Sequence, residues 1–98
     1  MRSILLAAAL AAGPAMADQI STQGADTLRL TQRACPAEVL ALVPSEYHAE
    51  MRYSVGTVDG KSYPGCWLER YGLVFVAYAD GDLGRVPAEM FKPALDAL

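Results

Sequence analysis

The sequence predicts an α+β domain in which a disulfide ties one short helix to a small antiparallel sheet of four or five strands. Three observations lead there. The chain has two cysteines, Cys35 and Cys66, so one pairing is possible. Short apolar or alternating runs follow one another from Glu50 onward, the pattern of half-buried strands. Gly-containing tight-turn signals separate those runs, Asp59-Gly60 being the strongest.

Composition first has to be corrected for an address. The 98 residues are 53% hydrophobic, which by itself hints at membrane affinity. A quarter of those residues fall in 1–17 (MRSILLAAALAAGPAMA). Arg2 is a basic start, Ile4 to Ala12 is an apolar run, Gly13-Pro14 breaks it, and Ala15-Met16-Ala17 is a small-x-small cleavage site. That is the layout of a secretory signal peptide. A nine-residue run spans about 13 Å as a helix, short of a hydrocarbon core of about 30 Å. Cleavage after Ala17 is therefore expected, with Asp18 as the new amino terminus and a periplasmic or secreted location. In an exported small domain, Cys35 and Cys66 are expected to form a disulfide.

The mature chain divides into a flexible arm at 18–26, a single domain at 27–93 and a tail at 94–98. Asp18 to Asp26 is polar and contains a glycine, which reads as loose. Thr27–Thr31 alternates and puts Leu28 and Leu30 on one strand face. Cys35-Pro36 opens a helix of about two turns, with Val39, Leu40, Leu42 and Val43 as its stripe. Pro44 ends it, and Ser45 to His48 is a candidate further turn.

Met51, Tyr53, Val55 and Thr57 share one face of the next strand. Asp59-Gly60 turns the chain, Pro64-Gly65 reads as a second turn or bulge, and Cys66 restarts the strand. Arg70-Tyr71-Gly72 turns again. Leu73–Tyr78 is nearly all apolar and is expected to be the central strand, covered on both faces. Asp80-Gly81-Asp82 makes another turn before a short strand at Leu83–Val86. Pro87 to Phe91 reads as a single helical turn.

Successive strand residues face opposite ways, so Trp67 points away from Cys66. If the sulfur faces the helix, Trp67 is free to join Tyr53, Tyr63, Tyr71 and Tyr78 in an aromatic binding surface. The alternative is that most of these rings pack the sheet. Asp59, Asp80 and Asp82 are turn acids, and with Glu89 they are candidates for an acidic contact with a cationic protein. Without Arg2 the chain has seven basic and eleven acidic residues. That balance argues against nucleic acid and, once the leader is gone, against an anionic membrane surface.

Catalytic chemistry is hard to find. The chain has no G-x-S-x-G, H-E-x-x-H, G-x-x-x-x-G-K or G-x-G-x-x-G. Its one histidine, His48, sits near Ser45 and Glu46 and would have to carry any enzyme reading. Asp80-Gly81-Asp82 looks like half a calcium loop but lacks the closing ligands. We expect no enzyme, no cofactor and no metal.

Two stretches resemble known proteins. Gly84-Arg85-Val86-Pro87-Ala88-Glu89-Met90-Phe91 is similar to the end of an SH3-type barrel, which implies an SH3-like barrel as one shape for the sheet. Cys35-Pro36, then Asp59-Gly60-Lys61-x-Tyr63-x-x-Cys66-Trp67, then Asp80-Gly81-Asp82-x-Gly84-x-Val86-Pro87-x-x-x-Phe91, resembles short exported proteins of bacteriophage, prophage and proteobacterial genomes. Those proteins are uncharacterised, so the resemblance implies a phage–host setting and no activity.

The expected function is a small non-catalytic binding protein of the periplasm. An inhibitor of a cell-wall enzyme and a phage exclusion factor are two concrete versions. A structural part of an envelope or phage-related assembly is the alternative.

Overall fold

The computed structural model describes residues 17–94. Residues 1–16 of the expected signal peptide and residues 95–98 of the expected tail lie outside the described residues. Seven strands form one antiparallel sheet: β1 (Gln19–Gln23), β2 (Asp26–Ala34), β3 (Arg52–Val58), β4 (Lys61–Arg70), β5 (Leu73–Tyr78), β6 (Leu83–Pro87) and β7 (Lys92–Pro93). The order across the sheet is β6-β5-β4-β3-β2-β1-β7. A single helical turn, α1 (Ala37–Leu40), and two 3₁₀ turns, Ser45–Tyr47 and Ala88–Met90, complete the fold.

The two edges of this sheet are joined by the last 3₁₀ turn. Lys92 begins β7 five residues after Pro87 ends β6, a reach of at most about 17 Å. Six strand spacings of about 4.8 Å would hold the edges of a flat sheet roughly 29 Å apart. The sheet therefore curls, and it forms a half-barrel.

The sheet has seven strands rather than the four or five expected, the additions being β1 and β7. The stretch taken as a flexible arm is largely β1, which pairs with β2 from Gln19↔Leu30 to Gln23↔Asp26 and with β7 at Gln19 and Ile20. Its side chains are mostly polar, so ladder hydrogen bonds rather than apolar alternation hold it. β5 is also not central. It lies between β4 and the edge strand β6, and β3 occupies the middle.

Hairpin chemistry explains the meander. Asp59 and Gly60 both have positive φ (53° and 76°), as do Tyr71 and Gly72 (58° and 76°). A two-residue loop of this kind matches the strand twist. Pro64-Gly65 is neither the second turn nor the bulge that its residues suggest: β4 runs straight through it. The carbonyl of Pro64 accepts the N–H of Ala79 at 3.0 Å, so the missing Pro64 donor points to the same side, where β5 has already ended. Proline is tolerated in a strand at such a place. Gly65 is needed for a different reason. A Cβ there would lie 2.8 Å from the Ala77 carbonyl and 3.1 Å from Ser54 Oγ.

The sheet carries a separate core on each face. Leu28, Leu30, Trp67, Val74 and Val76 form the inner one, with Tyr78, Val86, Ala88 and Phe91 around it. Fully buried Leu30 and Val74 are each worth about 1.5–3 kcal/mol of burial. Cys35, Val39, Met51, Cys66 and Leu68 form the outer core. Cys66 and Trp67 thus face opposite ways, as their alternation requires.

The Cys35–Cys66 disulfide joins the start of α1 to β4 with a Cα–Cα distance of 5.6 Å, inside the ordinary range. It spans 31 residues, which on the chain-entropy account stabilises the fold by roughly 3–4 kcal/mol. The chain between Cys35 and Met51 crosses the outer face as a flap. α1 is one turn, shorter than the two expected. After Leu40 the bonds tighten, Val43 N–H donating to the Leu40 carbonyl, and Pro44 prevents continuation.

Candidate functional site

The residues singled out from the sequence do not share one surface. Trp67 is only 9% exposed and packs in the inner core. Its indole Nε1 donates to the Thr31 carbonyl at 2.9 Å, so it leaves the candidate surface. Tyr63 lies opposite Gly56, on the same inner-facing side of β4 as Trp67, and is half-buried. Tyr53 faces outward beside Cys66 under the Arg33 guanidinium, 5.2 Å from its ring centre. Tyr78 is half-buried over the inner face.

The acids are also dispersed. Asp59 is at the tip of the β3–β4 hairpin, whereas Asp80 and Asp82 occupy the β5–β6 turn. Gly65 pairs with Tyr78, so the strand end at Lys61 projects four residues, about 13 Å, beyond the end of β5. Asp80 Oδ1 also accepts the Asp82 N–H at 2.9 Å, a local bond that shapes the turn. Glu89 sits in the 3₁₀ turn after Pro87. Among the described residues, no group of three or more His, Cys, Asp or Glu is arranged to hold a metal. His48 closes the flap, its Nε2 donating to the Val43 carbonyl at 2.7 Å.

The concave feature that stands out is a groove of about 440 Å³ on the outer face. Leu42, Val43, Pro44 and Tyr47 of the flap form one wall, and Phe75 and Ala77 of β5 form the floor. Leu83 of β6 is the far lip and is 82% exposed; Leu42 is 56% exposed. Tyr71, 93% exposed, stands at the mouth.

Arg70 is the groove's one charged lining residue. It is held by the Glu50 carboxylate and lies 5.4 Å from the Tyr47 ring centre. The Glu50 hydrogen bond, with the charge behind it, holds the guanidinium above its ordinary value. The groove is therefore apolar with its only cation already paired. A wider depression of about 660 Å³ lies by β1 and β7, but Arg29, Glu89 and Lys92 line it and Arg29 is tied to Asp18.

β6 borders the groove and is an edge of the sheet. Tyr78 N–H donates to the Asp82 carbonyl and Ala88 N–H to the Gly72 carbonyl. Antiparallel pairs bond at alternate residues, so Gly84 and Val86 bond to β5. Leu83 and Arg85 then turn their backbone groups to the open side. Pro87 has no N–H to offer there.

Of the groove's residues, Tyr71 alone is among the binding candidates that the sequence offers. Its other residues are scattered along the chain, at 42–47, Met51, Leu68, Arg70, 75–77 and 83–84, and nothing in their spacing brings them together. Compared with known families, curated proteins and solved structures, the chain matches none. The site stands on its own geometry.

Proposed function

We propose that the chain is a small exported, non-catalytic binding protein of the bacterial periplasm, and that it holds an apolar segment of a partner protein in the outer groove. Tyr71 carries this reading. Its φ is 58°, a left-handed conformation that costs an ordinary residue roughly 1–2 kcal/mol. Asn or Gly would occupy the position with less strain. Instead it holds a large, almost fully exposed aromatic at the mouth of an apolar groove. Strained positions cluster at functional sites, and tyrosine is favoured at interfaces because it is apolar with one polar end.

Export is supported by the disulfide, which persists in oxidising compartments. No helix among the described residues is long and apolar enough to cross a membrane. Inhibition of a cell-wall enzyme and phage exclusion both fit the class. The SH3-like plan is supported by the 3₁₀ turn directly after Pro87.

Capture from a bacterial envelope extract tests the groove. The wild-type protein should retain a partner that Tyr71→Asn and Leu42→Asp both lose, while Asp59→Asn, at the opposite end of β4, keeps it. Equal retention by all four proteins overturns the reading.

A second reading, a structural component assembled from copies, rests on the open side of β6 and the exposed Leu83. A two-fold axis at Gly84 would pair Leu83 with Arg85 of the second copy through four backbone hydrogen bonds. Sedimentation that stays monomeric across a wide concentration range removes it.

A further inference from the structure

We propose that the Cys35–Cys66 bond is a redox latch on the groove: its reduction releases the flap at 36–50, and with it the groove wall, while the sheet and inner core stay folded. The importance of this for binding rests on the groove reading above; the release itself does not.

The two cores make such a separation possible. The inner one contains no flap residue and no sulfur. Every buried flap contact is in the outer one, and between 36 and 50 only Val39 is buried. The flap's backbone hydrogen bonds close on itself, from Val39 N–H on the Pro36 carbonyl to Met51 N–H on the His48 carbonyl. Neither of its short helical turns has a side-chain cap.

Besides the disulfide, the flap is held by the packing of buried Val39 with half-buried Leu40, Val43 and Tyr47 around it, the half-exposed Glu50–Arg70 pair, the Tyr47 ring beside Arg70, and the Arg52 guanidinium on the Ala49 carbonyl. Exposed ion pairs contribute little. The disulfide is the one covalent cross-link among these ties, and the one that a reductant removes. The strands, by contrast, are joined by ladders that do not pass through the flap.

The step balances with a dithiol as reductant. Cys35 keeps a little exposed surface and Cys66 none, so a thiolate attacks Cys35 Sγ. The S–S bond breaks, its electron pair leaves on Cys66, and that thiolate takes a proton. The second thiolate of the reductant then displaces Cys35, which is also protonated. The protein gains two electrons and two protons, and the dithiol becomes a cyclic disulfide.

Leu42, Val43, Pro44 and Tyr47 all belong to the flap. Its release removes one whole side of the groove while β5 and β6 keep the other.

Trp67 is a built-in reporter for the part that should not change. The oxidised full chain is compared with the chain reduced by dithiothreitol, by amide hydrogen exchange and Trp67 fluorescence. Reduction should lower protection of amides 37–50 at least about tenfold, leave β3 to β5 protected and leave Trp67 emission unshifted. Reoxidation should restore the flap. Loss of protection throughout with a red-shifted Trp67 overturns the latch, because the bond is then a staple of the whole fold. Unchanged exchange in 37–50 overturns it as well. Envelope capture is a separate reading of the same samples. A partner held through Tyr71 that binds oxidised and reduced protein alike overturns the latch. Released flap amides with no Tyr71-dependent partner leave the latch standing and remove the groove reading.

Discussion

Trp67 and Thr31, 36 residues apart, meet on the inner side of the sheet, where the indole Nε1–H of the first bonds the carbonyl of the second at 2.9 Å. The bond exists because β2 is irregular there. Leu30 faces Ser54 and Ala34 faces Arg52, so β2 takes four steps while β3 takes two. A bulge of this kind turns backbone groups out of the ladder. Thr31 Oγ1 donates to the Tyr53 carbonyl at 2.8 Å and accepts the Arg33 N–H at 3.1 Å, and the Thr31 carbonyl takes the indole.

Trp67→Phe removes that donor and part of a buried ring. It should cost about 2–3 kcal/mol in urea unfolding, from the lost volume together with an unpaired Thr31 carbonyl. A loss below about 0.5 kcal/mol would mean the bond does not hold the bulge.

Gly65→Ala should be worse tolerated than its small size implies. The new methyl would meet the Ala77 carbonyl, a backbone atom in the ladder, at 2.8 Å. A loss of about 3 kcal/mol in thermal or urea unfolding is expected. Gly84→Ala, whose Cβ would stand 3.7 Å from Tyr78, is the matched control and should cost much less.

Ser54→Ala should be neutral or stabilising by up to about 1 kcal/mol. The Ser54 hydroxyl is fully buried and makes no hydrogen bond. A methyl in its place ends that desolvation without opening a void. A clear destabilisation would show that the hydroxyl has a partner after all.

Tyr71→Asn should separate stability from binding. The exposed ring loses no packing, and Asn accepts positive φ, so the fold should gain about 1 kcal/mol. Partner capture should fall at the same time. A more stable protein with capture intact would mean that the ring is not a contact.

Tyr78 gives a pH test. Burial first, and the Asp80 charge second, raise its phenol above the ordinary 10.0. The folded chain therefore keeps the proton longer than the unfolded chain does. The stabilisation is complete below the unfolded value and is lost as pH rises through the folded one. Between about pH 8 and about pH 11, the urea midpoint of the wild type should drop more than that of Tyr78→Phe. Parallel decline of the two would remove Tyr78 as the cause.

Much of this architecture is legible residue by residue. Asp59-Gly60 and Tyr71-Gly72 turn because their second residue accepts positive φ, and a two-residue period separates Cys66 from Trp67. What escapes is set by partners distant in the chain. Pro64 reads as a turn or bulge until the end of β5 places its missing donor beyond the ladder. Gln19–Gln23 has no apolar alternation and becomes a strand only between β2 and β7. Trp67 reads equally well as surface or core, and the bulge at Thr31 decides. The groove is less legible still, because its wall and floor meet only when the flap lies down on β5.

The Ala88–Met90 turn, together with the pairing of β7 on β1, has a topological consequence. The Ala94 N–H bonds the Asp18 carbonyl at 2.8 Å, so the two ends of the described chain touch. From β1 to β6 every strand lies beside its neighbour in sequence, and β7 lies beside β1. The sheet is open only between β6 and β7, so no strand pairing depends on a chain link between β3 and β4. A permuted chain, closed between residues 17 and 94 and opened at Asp59-Gly60, keeps every one of these neighbours.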